Sequence, residues 1–150
     1  MYLVLWIRLT TQVSNTIEIG KNEIRPNFKR GKYNISFLRQ KNTITKDTVP
    51  LLQILDAIRN IKKIPDAGIS SACMRFKAIL KELTEKDRST LVRLSQKYPP
   101  ATRALLGAIF EEIGENSFSD LLLKSLNPIT KYKLSGANKA LSTTEKWNIV

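Results

Sequence analysis

The chain has 150 residues, 42% of them hydrophobic, and carries 25 Lys and Arg against 13 Asp and Glu, a formal net charge of +12. That is enough chain and apolar residue for one core, with a positive balance that attracts polyanions such as nucleic acid, an anionic membrane or an acidic protein. The absence of histidine excludes His bases, Ser-His and Cys-His nucleophile pairs and His-containing metal sites, and the lone Cys73 excludes thiolate clusters and an internal disulfide.

Met1 to Leu9, MYLVLWIRL, is too short to span a membrane and lacks the basic flank and cleavage site of a signal peptide, so it reads as a strand or a truncated helix. With a single thiol, this favours a reducing cytoplasm and no membrane partner. Val13 to Ile19 and Tyr33 to Leu38 are β-branched and aromatic runs with partial alternation, punctuated by Gly20 and Gly31, and read as strands. Pro26 between them favours an edge or an irregular crossing.

The segment 21–46 holds eight cations against one acid, Glu23, so it carries more than half of the excess charge. Lys21, Arg25, Lys29, Arg30, Lys32, Arg39 and Lys41 are candidate nucleic-acid contacts, and Phe28, Tyr33 and Phe37 are interleaved with them. Such a surface stacks bases on its rings while its cations hold phosphates. The ordinary use of the Tyr33, Ile35, Phe37 alternation is instead to line the core.

From Thr48 to Asp66 the period turns helical through Leu51, Ile54, Leu55, Ile58 and Ile61. Thr48 offers a capping oxygen, Pro50 suits the first turn, Lys62 and Lys63 complement the helix dipole, and Ile64-Pro65 is expected to end the helix. Ser70 or Ser71 is the expected cap of the next helix, and Thr84 with Asp87 that of the one carrying Leu91, Val92 and Leu94. A further helix begins near Pro100 and stops at Gly114, and Ser117 with Asp120 opens a short last one, closed by Asn127-Pro128. The tail has no sustained period, and its closing Trp-Asn-Ile-Val gains by docking onto the helices. The expected class is α+β: a small antiparallel sheet of three or four strands in the N-terminal third, then four or five packed helices. Residues 1–47 form a basic β-rich part, 48–126 a helical part and 127–150 an irregular tail of one domain.

None of the six glycines forms a phosphate-cradling loop, and the adjacent Glu111 and Glu112 point in different directions on a helix, so neither catalysis nor a cofactor is expected.

Five blocks and a short closing motif, taken in order, resemble a known family: LTTQVSNTIEI from Leu9, KRGKYNISF from Lys29, VPLLQILDAIRNIKKIPD from Val49, KYPPATRALLGAIFEEIG from Lys97, SLNPITKYKL from Ser125 and the closing KWNI. The family is the C-terminal region of the AbiEi-like antitoxins of bacterial type IV toxin-antitoxin and abortive-infection systems, in the short form common in Bacteroidetes. The resemblance implies a non-catalytic protein that antagonises a nucleotidyltransferase-like toxin, with Tyr98, Arg103, Lys131, Tyr132 and Lys133 as candidate partner contacts. It also implies an N-terminal winged helix that binds a promoter. Here the first block begins at Leu9, so a truncated form without that domain is expected. Two other readings are a stand-alone nucleic-acid-binding module using the Phe28, Tyr33 and Phe37 face, which ring exposure favours and burial opposes, and an inert remnant prone to aggregation.

Overall fold

The computed structural model describes residues 1–4, 16–63 and 68–150. The expectations for residues 5–15 lie outside the described residues, whereas the helix expected to run to Ile64-Pro65 already ends at Arg59, with Asn60 as its cap. Strands β1 (Tyr2–Leu3), β2 (Thr16–Lys21), β3 (Phe28–Arg30) and β4 (Tyr33–Arg39) form a sheet in the order β1-β2-β4-β3. Its outer pairs are antiparallel, but β2 and β4 are parallel, from Thr16 beside Asn34 to Lys21 beside Arg39. The central pair corrects the expected purely antiparallel sheet. After β2 the chain crosses over, with Pro26 in the crossing, and β3 carries it back so that β4 runs alongside β2.

Five helices follow: α1 (Val49–Arg59), α2 (Ile69–Glu82), α3 (Glu85–Ser95), α4 (Pro100–Glu112) and α5 (Asn116–Lys124). The class is α+β, with the sheet in the N-terminal third. Thr84 caps α3 as expected, its side chain accepting from the Asp87 N–H at 3.1 Å. Three other caps differ. Thr48 has helical rather than extended backbone angles, so its hydroxyl cannot reach the α1 amides and accepts instead from the Thr45 N–H at 2.9 Å. Helix α2 starts at Ile69 from an extended Gly68, which places Ser70 and Ser71 inside it. Helix α5 likewise starts before Ser117, from Glu115. Lys62 and Lys63 lie in a 3-10 turn beyond α1. Among the described residues no helix is long and apolar enough to cross a membrane.

One hydrophobic cluster runs from α1 through α4 to the tail, with Leu52, Leu55, Phe76, Leu80, Leu91, Leu106, Ile109 and Phe110 among its fully buried members. Cys73 packs in it, and burial pushes its thiol up to about 11. The tail docks on α4 through Trp147, which approaches Gly107 so closely that a Cβ there would overlap its ring. Glu111 accepts from the Trp147 indole at 2.9 Å and from Lys146, while Glu112 accepts from the Ser142 N–H at 3.0 Å and its hydroxyl at 2.8 Å. The two adjacent carboxylates thus point apart, and each clamps a different part of the tail.

The sheet is held to the helices by a buried polar joint. Asp56 on α1 is fully buried and accepts from the hydroxyls of Tyr2 on β1 and Tyr98 ahead of α4. The Gln40 amide donates to both phenol oxygens, at 2.8 and 2.7 Å, and its carbonyl accepts from Asn42, whose amide reaches the Leu94 carbonyl of α3 at 3.0 Å. The Tyr2 ring covers Gly20 of β2, where a Cβ would collide with it. Burial pushes the Asp56 carboxyl up to about 6 against the opposing effect of its two tyrosine donors, and burial followed by the Asp56 charge raises both phenols.

Two outcomes are expected. Gly107→Ala lowers stability by about 1–3 kcal/mol through overpacking, despite the ~1 kcal/mol that Ala gains over Gly in a helix; an unchanged melting temperature would show that the Trp147 contact is not tight. Asp56 holds its proton more firmly folded, at about 6, than at its ordinary value of 3.8. Its contribution to stability is therefore full below 3.8 and is lost as the pH rises through about 6. The unfolding free energy of the native chain minus that of Asp56→Asn should fall by on the order of 3 kcal/mol across this window. A pH-independent difference would refute the assignment.

Candidate nucleic-acid interface

Side chains alternate between the two faces of a strand. On β2 and β4, Glu18, Gly20 and Leu38 face the helices: Leu38 joins the core and Glu18 accepts from Asn60 at 3.4 Å. Burial raises the Glu18 carboxyl, with Lys63 and Arg59 opposing the shift. The register then assigns Ile17, Ile19, Lys21, Tyr33, Ile35, Phe37 and Arg39 to the outward face, where Phe28 and Arg30 join them through their pairing with Ile35 and Tyr33. Among the described strand residues no Asp or Glu shares this face.

Phe28 is 51% and Tyr33 37% exposed, and Phe37 is half-buried. The Phe28 and Phe37 rings sit 5.9 Å apart, tilted by 38°. Lys32, at the turn between β3 and β4, lies over the Tyr33 ring at 5.3 Å. Tyr33, Ile35 and Phe37 do share one face: Ile35 is buried, Phe37 half-buried and Tyr33 exposed, and none of the three belongs to the cluster of the helical core, so the expectation that they line the core holds for burial at Ile35 and fails at Tyr33. Alternation fixes which residues share a face and says nothing about which face meets the helices. Here the choice follows from Tyr2 occupying the space over Gly20 on the opposite side.

The seven candidate cations divide. Lys21, Arg30, Lys32 and Arg39 surround the rings, all but the half-buried Lys21 exposed. Lys29 pairs with Asn34, on the opposite face of an edge strand. Arg25 lies in the crossing, 3.3 Å from Glu23, which also approaches Lys21 at 3.7 Å. Lys41 belongs to a cleft of about 360 Å³ with Arg59 and Lys97.

The candidate partner contacts also separate. Tyr98 is buried at 5% exposure with its hydroxyl donated to Asp56, so it is a core residue and not a surface contact. Arg103 is half-buried and donates to the Ser125 carbonyl at 2.9 Å, tying α4 to the end of α5. Lys131 and Lys133 are exposed and, with Tyr132, Arg59 and Lys62, line a cleft of about 350 Å³. Tyr132 also joins the tail's two ends, its N–H donating to Asn148 at 2.8 Å.

The sequence reading missed Asp56 and Gln40, which fix the orientation of the sheet. A charged residue beside Leu52, Leu55 and Ile58 on the buried side of an amphipathic helix was the available clue. Compared with family models, with characterised proteins and with solved structures, the chain matches none.

Proposed function

We propose that the protein is a non-catalytic, antitoxin-like polypeptide that contacts nucleic acid through the outward face of its sheet. The carrying observation is the exposed pair Phe28 and Tyr33 set among Arg30, Lys32 and Arg39, with no Asp or Glu among the described strand residues of that face. Aromatic rings need unpaired bases to stack on, and cations at their margins follow the phosphate backbone, so single-stranded nucleic acid is the ligand that uses both.

The antitoxin part rests on the sequence blocks. In the structure the last three of them lie together: KYPPATRALLGAIFEEIG forms α4 and its approach, and SLNPITKYKL and KWNI are paired in the tail that docks on it. The nucleotidyltransferase-like toxin would meet the exposed Lys131 and Lys133 rather than Tyr98. Ring exposure also favours a second reading, a stand-alone nucleic-acid module with no toxin partner.

Anisotropy of a labelled single-stranded oligonucleotide should report binding at low salt that falls steeply as salt rises, with a log-log slope of about 0.7 per phosphate neutralised. Arg30→Ala with Lys32→Ala and Arg39→Ala should flatten that slope, and Phe28→Ala should cost about 1–3 kcal/mol with the slope unchanged. Absence of binding at low salt, or no effect of the triple substitution, removes the reading. Co-expression with the open reading frame immediately downstream tests the antitoxin part separately: rescue of growth supports it, and persistent toxicity beside a folded, soluble chain overturns it.

A further inference from the structure

Helices α1 and α2 leave a groove of about 490 Å³ between them. Its apolar part is formed by Pro50, Ile54, Ile79 and Leu83, of which Pro50 is exposed and the other three half-buried. Asp47, Glu82 and Asp87 line it as well, and among the described residues no Lys or Arg does. Among the described residues none of these three carboxylates forms an ion pair, whereas Glu23, Glu111, Glu112 and Glu115 each do. In a protein with 25 cations and 13 acids, an acid-only groove over accessible aliphatic carbon is the opposite of what the composition favours.

We infer that this groove docks a basic amphipathic segment of a partner protein. Ile54, Ile79 and Leu83 offer apolar surface to an aliphatic anchor, and Asp47, Glu82 and Asp87 offer unspent negative charge to Lys or Arg beside it, the arrangement by which a groove between helices takes an amphipathic helix. Nucleic acid is repelled by the same carboxylates. The inference does not depend on the sheet-face reading, and the groove's substitutions leave Arg30, Lys32 and Arg39 intact.

The test uses the full chain with methyl-labelled Ile and Leu and a synthetic peptide that places Leu at helical spacing among Lys. Titration is expected to shift the methyl resonances of Ile54, Ile79 and Leu83 and to leave those of Ile17 and Ile35 unmoved. Glu82→Lys with Asp87→Lys should weaken the peptide at least ~tenfold, while Asp120→Lys with Glu145→Lys, both exposed and outside the groove lining, should not. Melting curves confirm that the variants fold. Three results overturn the inference: shifts confined to other methyls, equal binding by a peptide with Ser in place of Leu, or concentration-dependent shifts of the groove methyls without peptide, which would assign the groove to a second copy of this chain. Loss of oligonucleotide binding alone bears only on the sheet face.

Discussion

The fold turns on a buried carboxylate held by neutral hydrogen-bond donors. Asp56 sits inside the helical core and is held by two phenol hydroxyls and, through them, by the Gln40 amide. Neutral donors satisfy its oxygens without cancelling its charge, which is why burial outweighs hydrogen bonding and its proton is held more firmly than usual. Buried polar groups of this kind add little net stability but penalise every arrangement that leaves one of them unpaired. The five elements that meet here are β1, the end of β4, α1, the end of α3 and the approach to α4. A slip of the sheet against the helices would strand Asp56, so the joint selects one docking of the sheet among the many that apolar contact alone would allow.

That choice of docking decides which side of the sheet is free. With Tyr2 seated over Gly20 and Leu38 turned to the core, the Phe28, Tyr33 and Phe37 side has to face outward. The other half of the molecule is secured differently. Trp147 against Gly107 supplies apolar area, and Glu111 and Glu112 fix the direction of the tail. Arg88 performs a similar service elsewhere: it bonds the Leu80 and Lys81 carbonyls at the end of α2 and pairs with Glu115 at 2.6 Å, closing the carboxyl end of α2 with a cation.

Local chemistry was legible in the sequence, and long-range chemistry was not. The period of Leu51, Leu55 and Ile58 and the Thr84-Asp87 cap depend on residues within a turn or two, and both appear in the structure. The parallel pairing of β2 with β4 depends on how the 22–27 crossing runs, which no residue pattern encodes. Tyr2 and Tyr98 lie 54 and 42 residues from Asp56, so nothing near any of the three announced their meeting. Tyr98 enters as a candidate partner contact through the resemblance alone, which carries no information on burial. The aromatic face was half legible: alternation gave its membership, while its direction waited on a joint made elsewhere.

Charge in this molecule is segregated rather than paired. The strand register turns Glu18 inward, so on the outward face Arg30 and Arg39 have no acid among the described strand residues beside them, and Glu23 reaches only Lys21 at its end. On the other side of α1, three carboxylates share a groove from which Lys and Arg are missing among the described residues. At physiological ionic strength, charges more than about 8 Å apart are largely screened from one another, so two such surfaces need not neutralise each other even on a small protein. Each keeps a field that an incoming partner of opposite sign can use, and neither is spent on holding the fold, because the joint at Asp56 and the apolar core already do that. The formal charge of +12 therefore understates what the chain presents: a cationic face suited to a polyanion and, separately, an anionic groove suited to a basic segment.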